Sequence, residues 1–339
     1  ILSRAEDNVE AQIIYQNKII DWLECNNNKS KNFKKNIKKC YNEKNDLAAV
    51  FIDSNKYHIY PVHISKEGWN HIAPNGRKHP INKANFSFSD GTAVVQPDVV
   101  FNTIHGTPGE DGYLQAYLSL INMPQTSAHF YQAALSFNKR DCLSVLKNAG
   151  VKCANSYYLN EGDVISHEEI IKTVGLPCFV KPNRAGSSFG ISKVSKIEEL
   201  DAAIHKAYQE DKEIIIEKSI EGVEVSVGVF NNNKNIVILP ITEIVCETEF
   251  FDYEAKYLGK SDEITPARIS EQEAEKVRQE VKKIYQTLNM TGLTRSEFII
   301  QDGIPYFLEI NTNPGLSKES IIPKQLKEHG MSLTDFFDI

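Results

Sequence analysis

The sequence predicts an α/β protein of more than one domain, and three observations carry that reading. Short apolar runs rich in β-branched and aromatic residues alternate with longer amphipathic runs along the chain from Leu47 onward. The strand-like run Pro97–Ile104 passes directly into the glycine loop His105–Gly112 and then into a helical stretch. That order is where open α/β sheets bind ligands. Near the C-terminus, Leu293–Ser320 contains two apolar segments joined by Asp302-Gly303 and ends its second segment in Glu309-Ile310-Asn311.

The 339 residues are enough for two or three domains with sizeable cores. Charged residues make up 24% and hydrophobic residues 41%, the balance of a globular chain, and no apolar run approaches the ~20 residues that cross a bilayer. No secretory signal opens the chain, so the expected location is cytoplasmic. The net charge of −7 argues against nucleic acid as the main partner. The six cysteines show neither CxxC nor finger-like spacing with histidine and read as reduced thiols.

Taken in order, residues 1–46 are the least legible. Val9, Ile13, Ile14, Ile20 and Leu23 fall at roughly helical spacing, and six lysines follow between Lys29 and Lys39 with no acidic residue among them. Such a run fits a solvated face or an acidic partner. Ala48–Ile52, Tyr57–Ile64 and Pro97–Ile104 are strand candidates. Residues 113–121 and 133–149 are predicted helices, the second carrying Lys139 and closing at Gly150. Val151–Leu159 is extended, and His167–Val174 is a helix capped by Ser166.

Leu176–Pro182 is a strand with Lys181 near its end, followed by a small, flexible loop and the strand Ile191–Val194. The loop offers backbone N–H and hydroxyl donors with little bulk, as wrapping phosphate oxygens requires. It also fits a flexible hairpin. Ile197–Ala207 is a helix, Glu213–Glu217 a buried strand ending in an acid, and Gly222–Val229 an alternating strand with Glu224 near its start. Such acids can accept from a nucleotide's ribose or amino groups, or simply end strands at the surface. Ile236–Val245 reads as one more strand. Phe250–Tyr257, dense in aromatics and charge, suits a loop that closes over a substrate. Residues 271–288 are predicted as a helix with an apolar stripe and a capping box from Ser270 to Glu273.

In the C-terminal hairpin, side chains two apart share a face. A two-residue turn sets Glu297 opposite Leu308. A three-residue turn or an equivalent bulge sets it opposite Glu309 and sets Arg295 opposite Asn311. If these polar groups form one site, the second arrangement is required. Two carboxylates and an amide oxygen then make an all-oxygen site suited to Mg²⁺ shared with phosphates. A ribbon whose carboxylates face water satisfies the hairpin sequence equally.

With these segments in order, the chain resembles the D-alanine–D-alanine ligase family of the ATP-grasp superfamily, in its Bacteroidetes-like branch. The resemblance rests on HGTPGEDG (105–112), LPCFVKPNRAGSSFGISKV (176–194), IIIEKSIEGVEVSVGV (214–229), FFDYEAKY (250–257), ITPARI (264–269), TRSEF (294–298) and LEINTNPGLSKESIIP (308–323). It spans residues from about 53 to 337 and implies an ATP-grasp fold behind a Rossmann-like N-terminal domain. The implied domains are 1–126, 127–217 and 218–339. The implied activity is ATP-dependent joining of two D-alanines through an acyl phosphate, for peptidoglycan precursors. It also implies a homodimer with ATP and D-alanine as small-molecule partners.

Residue by residue, the resemblance assigns Lys139, Lys181, Ser187, Ser188, Glu217, Glu224 and Lys256 to ATP. It assigns Tyr257 to a latch on the closing loop and Arg295 to the tetrahedral oxyanion. Glu297, Glu309 and Asn311 would hold two Mg²⁺ or Mn²⁺ ions, with Glu297 standing where Asp is commoner. His105 would lie near the first D-alanine, and Gly315, Ser320 and Ile321 near the second, with Ile321 in place of the more usual Leu. Tyr257 favours D-alanine over D-lactate as second substrate.

The chain departs from the pattern at its start. The family's opening strand, Gly-Gly turn and Ser-x-Glu segment have no clear counterpart, although Ser3-Arg4-Ala5-Glu6 offers Glu6 as a candidate. Two alternatives follow from that departure: a carboxylate–amine ligase with another first substrate, and a non-catalytic nucleotide-binding homologue.

Overall fold

The computed structural model describes residues 52, 53, 55–186, 189–232, 235–246, 261–317 and 320–339. The expectations for residues 1–46 (Glu6 among them), for 48–51 and for Phe250–Tyr257 lie outside these. The described chain divides into two compact units. The first holds the residues up to Gly109, Tyr113–Ser127 and Gly315–Ile339; the second holds Glu110–Gly112 and Ala128–Pro314.

In the first unit, β1 (Val62–Ser65), β2 (Gly68–Ile72) and β3 (Lys78–Pro80) form an antiparallel meander, and β4 (Phe88–Ser89) and β5 (Val94–Val95) a small ribbon. With α1 (Tyr113–Leu120) they enclose Ile64, Ile81, Phe86, Phe88, Leu114 and Leu118. The expected strand Tyr57–Ile64 is shortened to β1, because Pro61 has no N–H to give a ladder. The expected strand Pro97–Ile104 is reduced to one parallel bridge, Val100 to Gln125. Among the described residues of this unit, that bridge is all the parallel pairing of the kind a Rossmann-like layer uses. Asn102 explains the interruption. Its side chain accepts from Ile104 N–H at 3.0 Å and donates to Gly109 O at 2.8 Å and Ser127 Oγ at 3.2 Å. Local side-chain bonds replace the ladder there.

The second unit opens with α2 (Phe130–Phe137) and α3 (Lys139–Asn148), where one helix over 133–149 was expected. Asn138 breaks it. Its backbone is extended (φ −86°, ψ 100°), and its side-chain oxygen caps α3 by accepting from Asp141 N–H. The strands β6 (Ser156–Asn160), β7 (Cys178–Pro182), β8 (Ser192–Val194) and β9 (Glu213–Lys218) then form an antiparallel sheet in the order β6-β9-β7-β8. The helices α4 (His167–Val174) and α5 (Leu200–Tyr208) cover it, burying Ile170, Val180, Ile204, Ile214 and Ile216. Ser166 caps α4, accepting from Glu169 N–H, as its position before the helical run implies.

The second sheet holds β10 (Val223–Asn232), β11 (Asn235–Ile238), β12 (Thr242–Cys246), β13 (Ser261–Ile264), β14 (Thr294–Gln301) and β15 (Ile304–Asn311). Its path is β13-β12-β10-β14-β15, with β11 pairing β10. The single strand expected over Ile236–Val245 is split into β11 and β12. Pro240 in the gap cannot donate, and Leu239 N–H turns back to Gly228 O at 2.8 Å. Across one face lies α6 (Glu271–Thr287), whose stripe Ala274, Val277, Val281, Ile284 and Tyr285 packs on Val225, Val227, Val229, Phe298 and Phe307. Its Ser270–Glu273 capping box is formed as expected.

The two sheets of this unit are joined directly. Cys153 bridges to Phe307, and Phe307 N–H donates to Lys152 O at 2.8 Å. Beyond β15 come α7 (Ile321–Glu328) and α8 (Leu333–Phe337), which belong to the first unit.

Candidate active site

The hairpin register settles what the C-terminal motif can do. Asp302 and Gly303 both have positive φ, +51° and +70°, as a two-residue type I′ turn requires. Next to the turn, Ile299 pairs with Tyr306 and Phe298 with Phe307. A bulge then intervenes, so that Glu297 pairs with Glu309 and Arg295 with Asn311. Leu308 is the extra residue. Without it opposite no partner, Glu309 and Asn311 would point into the core.

Because Val225, Val227, Phe298, Phe307 and Ile310 face that core, the alternate positions face the other way. That face carries Glu224 and Ser226 on β10, Arg295 and Glu297 on β14, and Glu309 and Asn311 on β15. Glu263 of β13 joins them, in line with Ile244 and Glu224. Sequence reasoning placed Glu263 only in the segment that follows the expected closing loop and not on this face, since its position there depends on the pairing of β12 with β13.

Arg295 stands opposite Gly228, whose missing side chain leaves room for the guanidinium. Its Nη2 donates to Glu297 Oε1 at 2.6 Å, and both side chains are largely buried. Burial works against the charge on Arg295. Glu297, Glu309 and Glu263 outweigh it and raise its pKa further, so the residue is a fixed cation. Its Nε is buried without a hydrogen-bond partner among the described residues.

The first sheet supplies one lysine and α3 the other. Lys181 Nζ on β7 donates to Glu217 Oε2 on β9 at 2.8 Å, with side-chain exposures of 17% and 7%. Burial pulls the Lys181 pKa down, but Glu217, Glu309 and Glu224 together lift it above its ordinary value. Those three acids come from both sheets, which places Lys181 between them. Lys139, the first residue of α3, donates to Ala185 O at 2.8 Å, and its Nζ lies 3.8 Å from Glu309 Oε2.

Asn183 ties these lysines together. It is fully buried, its side-chain oxygen accepts from Arg140 N–H at 2.8 Å, and its carbonyl accepts from Lys139 N–H at 3.3 Å. Its side-chain NH₂ donates to Asn138 Oδ1 at 2.9 Å and to Glu213 Oε2 at 3.0 Å. The start of α3 and the end of β7 are thereby held as one piece. Sequence reasoning passed over Asn183 as a loop residue; the Lys-Pro-Asn run directly after a strand was its only signal.

In the first unit, His105 begins a loop whose Gly109 carbonyl accepts from Asn102 at 2.8 Å and from Gln115 at 2.6 Å. A Cβ on Gly109 would stand 2.1 Å from Ile104 O, so only glycine fits. A Cβ on Gly315 would lie 2.8 Å from Ser320 Oγ, which is paired with Ser317 Oγ at 2.6 Å. Ser320 precedes α7 without a side-chain cap bond, and the side chain of Ile321 is buried. Ser187, Ser188, Lys256 and Tyr257 lie outside the described residues. The free cysteines Cys142, Cys153 and Cys178 are packing groups. Burial pushes their thiols up to about 12, 12 and 11, far from a reactive thiolate.

Lys181 on one antiparallel sheet and Lys139 at the start of α3 thus converge with acids on the other sheet, across a bulged hairpin that sets Arg295, Glu297, Glu309 and Asn311 on one face. The family model for the D-ala D-ala ligase N-terminus matches residues 5–128, and that for the D-ala D-ala ligase C-terminus matches residues 145–339. The D-alanine–D-alanine ligase of Flavobacterium johnsoniae is 57% identical over 292 residues, covering 86% of this chain and 90% of that protein. The same-named protein of Bacteroides fragilis is 41% identical over 286 residues, covering 84% and 88%. Among solved structures, the VanG D-Ala:D-Ser ligase of Enterococcus faecalis superposes with a TM-score of 0.74 at 28% identity, covering 91% of this chain and 94% of that one. The D-alanyl-alanine synthetase A of Vibrio cholerae gives 0.75 at 25% identity, covering 84% and 87%. By motif, register and these likenesses, the chain has the ATP-grasp fold and belongs to the D-alanine–D-alanine ligase family.

Proposed function

We infer that the chain joins two molecules of D-alanine at the expense of ATP, giving D-alanyl-D-alanine for peptidoglycan precursors. The observation that carries this is the meeting of Lys139 and Lys181 with Glu309 and Arg295 on facing elements of one unit. In this reading a carboxylate oxygen of the first D-alanine attacks the γ-phosphorus, and ADP departs. The amine of the second then attacks the acyl carbon, and breaking the C–O bond releases phosphate.

Lys139 and Lys181 neutralise and orient the phosphates, and Glu217 and Glu224 accept from the nucleoside. Ser187, Ser188, Lys256 and Tyr257 would complete that grip. Arg295, a fixed cation, stabilises the oxyanion that develops in the second step, where preset positive charge is worth most. His105 orients the first D-alanine. Around the second, Gly315 gives room, and the first turn of α7 from Ile321 onward, which the Ser320 side chain does not cap, offers N–H groups to its carboxylate.

Glu297, Glu309 and Asn311 form an all-oxygen set on adjacent strands, the chemistry that Mg²⁺ or Mn²⁺ prefers. When bound there, two such ions would neutralise charge on the phosphate oxygens. Within the second unit, we take the β6–β9 sheet and the β10–β15 sheet as the two lobes that grasp the nucleotide. We take the assembly to be a homodimer, as the family resemblance implies. No helix among the described residues is long and apolar enough to cross a membrane. The need for ATP and the free thiols support a cytoplasmic setting.

The test is to incubate the protein with ATP, Mg²⁺ and D-alanine and to measure phosphate and dipeptide together, with D-lactate and D-serine offered in parallel. D-alanine is expected to give both products, and Arg295→Met to lower kcat about 100- to 1,000-fold with little change in the KM for ATP. Phosphate release with no dipeptide, or turnover with some other acid only, would overturn the reading.

A further inference from the structure

Each of the three residues assigned to the divalent cation has one side-chain oxygen met by a group of the protein itself. Glu297 Oε1 accepts from Arg295 Nη2 at 2.6 Å. Asn311 Oδ1 accepts from Asn313 N–H at 2.7 Å. Glu309 Oε2 faces Lys139 Nζ at 3.8 Å.

These three contacts differ in kind. Arg295 and Glu297 sit two residues apart on one strand and are nearly buried, so their pairing is set by the sheet. Asn313 contributes backbone from the turn just after β15. Lys139 comes from a different element, at the first position of α3, on a flexible four-carbon stem. Its side chain is 14% exposed, whereas that of Glu309 is 37% exposed, so the carboxylate is open to solutes while the ammonium is held close against it. The same ammonium is tethered to Ala185 O at 2.8 Å, in the loop that follows β7.

A carboxylate oxygen binds Mg²⁺ or Mn²⁺ at about 2 Å. A cation placed so on Glu309 would stand within a few ångströms of the Lys139 ammonium, and like charges at that separation repel strongly in a part-buried site. Ammonium and metal ion are therefore rivals for one carboxylate. Phosphate oxygens are the groups that remove the rivalry, since they attract both.

We propose that Lys139 is one of the internal counter-ions of Glu309 and competes with the divalent cation for it, so that the cation binds more tightly when a triphosphate draws Lys139 aside. This rests on the assignment of Glu309 as a cation ligand. It gives Lys139 a second role beside phosphate binding: it makes metal and nucleotide arrive together, and it keeps free divalent ions from occupying the acid face alone.

The competition predicts a gain where simple loss would otherwise be expected. Mn²⁺ binding without nucleotide, followed by electron paramagnetic resonance, is expected to tighten about 5-fold or more in Lys139→Met. Lys139→Arg should stay close to the native protein. A non-hydrolysable ATP analogue should tighten Mn²⁺ binding strongly in the native protein and much less in Lys139→Met. Lys139→Gln serves as a second neutral variant, and thermal melting confirms that each protein is folded. The gain should vanish in Lys139→Met combined with Glu309→Gln. Equal or weaker Mn²⁺ binding by both neutral variants overturns the proposal. If Glu309→Gln alone leaves Mn²⁺ affinity unchanged with the analogue present, the ligand assignment itself is wrong and the proposal goes with it.

Discussion

Arg184 is half exposed and Asp211 is not, and that asymmetry decides how the pair responds to acid. Asp211 accepts from the Arg184 guanidinium at 2.9 and 3.1 Å, from Arg184 N–H at 2.7 Å and from Glu213 N–H at 3.2 Å. Burial pushes its carboxyl up, but these bonds together hold its pKa below the ordinary carboxylate value. A depressed folded pKa means a contribution that is complete above the unfolded value of about 3.9 and is lost as pH falls through the folded one. Asp211→Asn is expected to cost about 1–3 kcal/mol at pH 7 by urea denaturation. The gap between the two proteins should close below about pH 4; a constant gap across pH would show that the charge on Asp211 is not what matters. At this scale the sequence was most legible where strand alternation rules. Arg295, Glu297, Glu309 and Asn311 follow from period two once a bulge is allowed. Lys181 and Glu217 follow from ending apolar strands. Asn183 and Glu263 were not legible, because their importance comes from partners distant in the chain.

Elements were legible where a local rule acted alone. The Ser270 capping box and the apolar stripe of α6 are complete in the sequence, and so is the Ser166 cap of α4. They were misread where a side chain competed with the backbone. Asn138 split one expected helix into α2 and α3, and Asn102 took the bonds an expected strand would have used. Asn138 is also the element that puts Lys139 at the positive end of α3, where a phosphate is favoured. Two helix caps, one beside the site and one away from it, therefore separate stability from function. Ser270→Ala should cost about 1 kcal/mol in chemical denaturation, and Asn138→Ala about 2–4 kcal/mol, because it also leaves the buried Asn183 donor without its Asn138 partner. Only Asn138→Ala should also weaken nucleotide binding, several-fold by calorimetry, because it alone frees the start of the helix that carries Lys139. Equal affinity in both variants would separate the cap from the site.

For the molecule as a whole, the described residues pack into three apolar cores, one in the first unit and two in the second. Each of the residues proposed here for the nucleotide and the oxyanion, Lys139, Lys181, Glu217, Glu224 and Arg295, is anchored on an element of the second unit, above one of its two cores. A ligand that binds only the folded state stabilises it by RT ln(1 + [L]/Kd), about 2.7 kcal/mol at a hundredfold excess over Kd. That energy is felt by the amides whose exchange requires the ligand's own residues to open. A non-hydrolysable ATP analogue with Mn²⁺ should therefore slow hydrogen exchange about 100-fold in β7, β9, β10, β14 and β15, where the slowest amides report opening of the whole unit. The meander β1–β3, which carries none of those proposed residues, should exchange at its original rate. Slowing of equal size in β1–β3 would mean that the two units open as one, and that the grip on ATP stabilises the first unit as much as the sheets that make it.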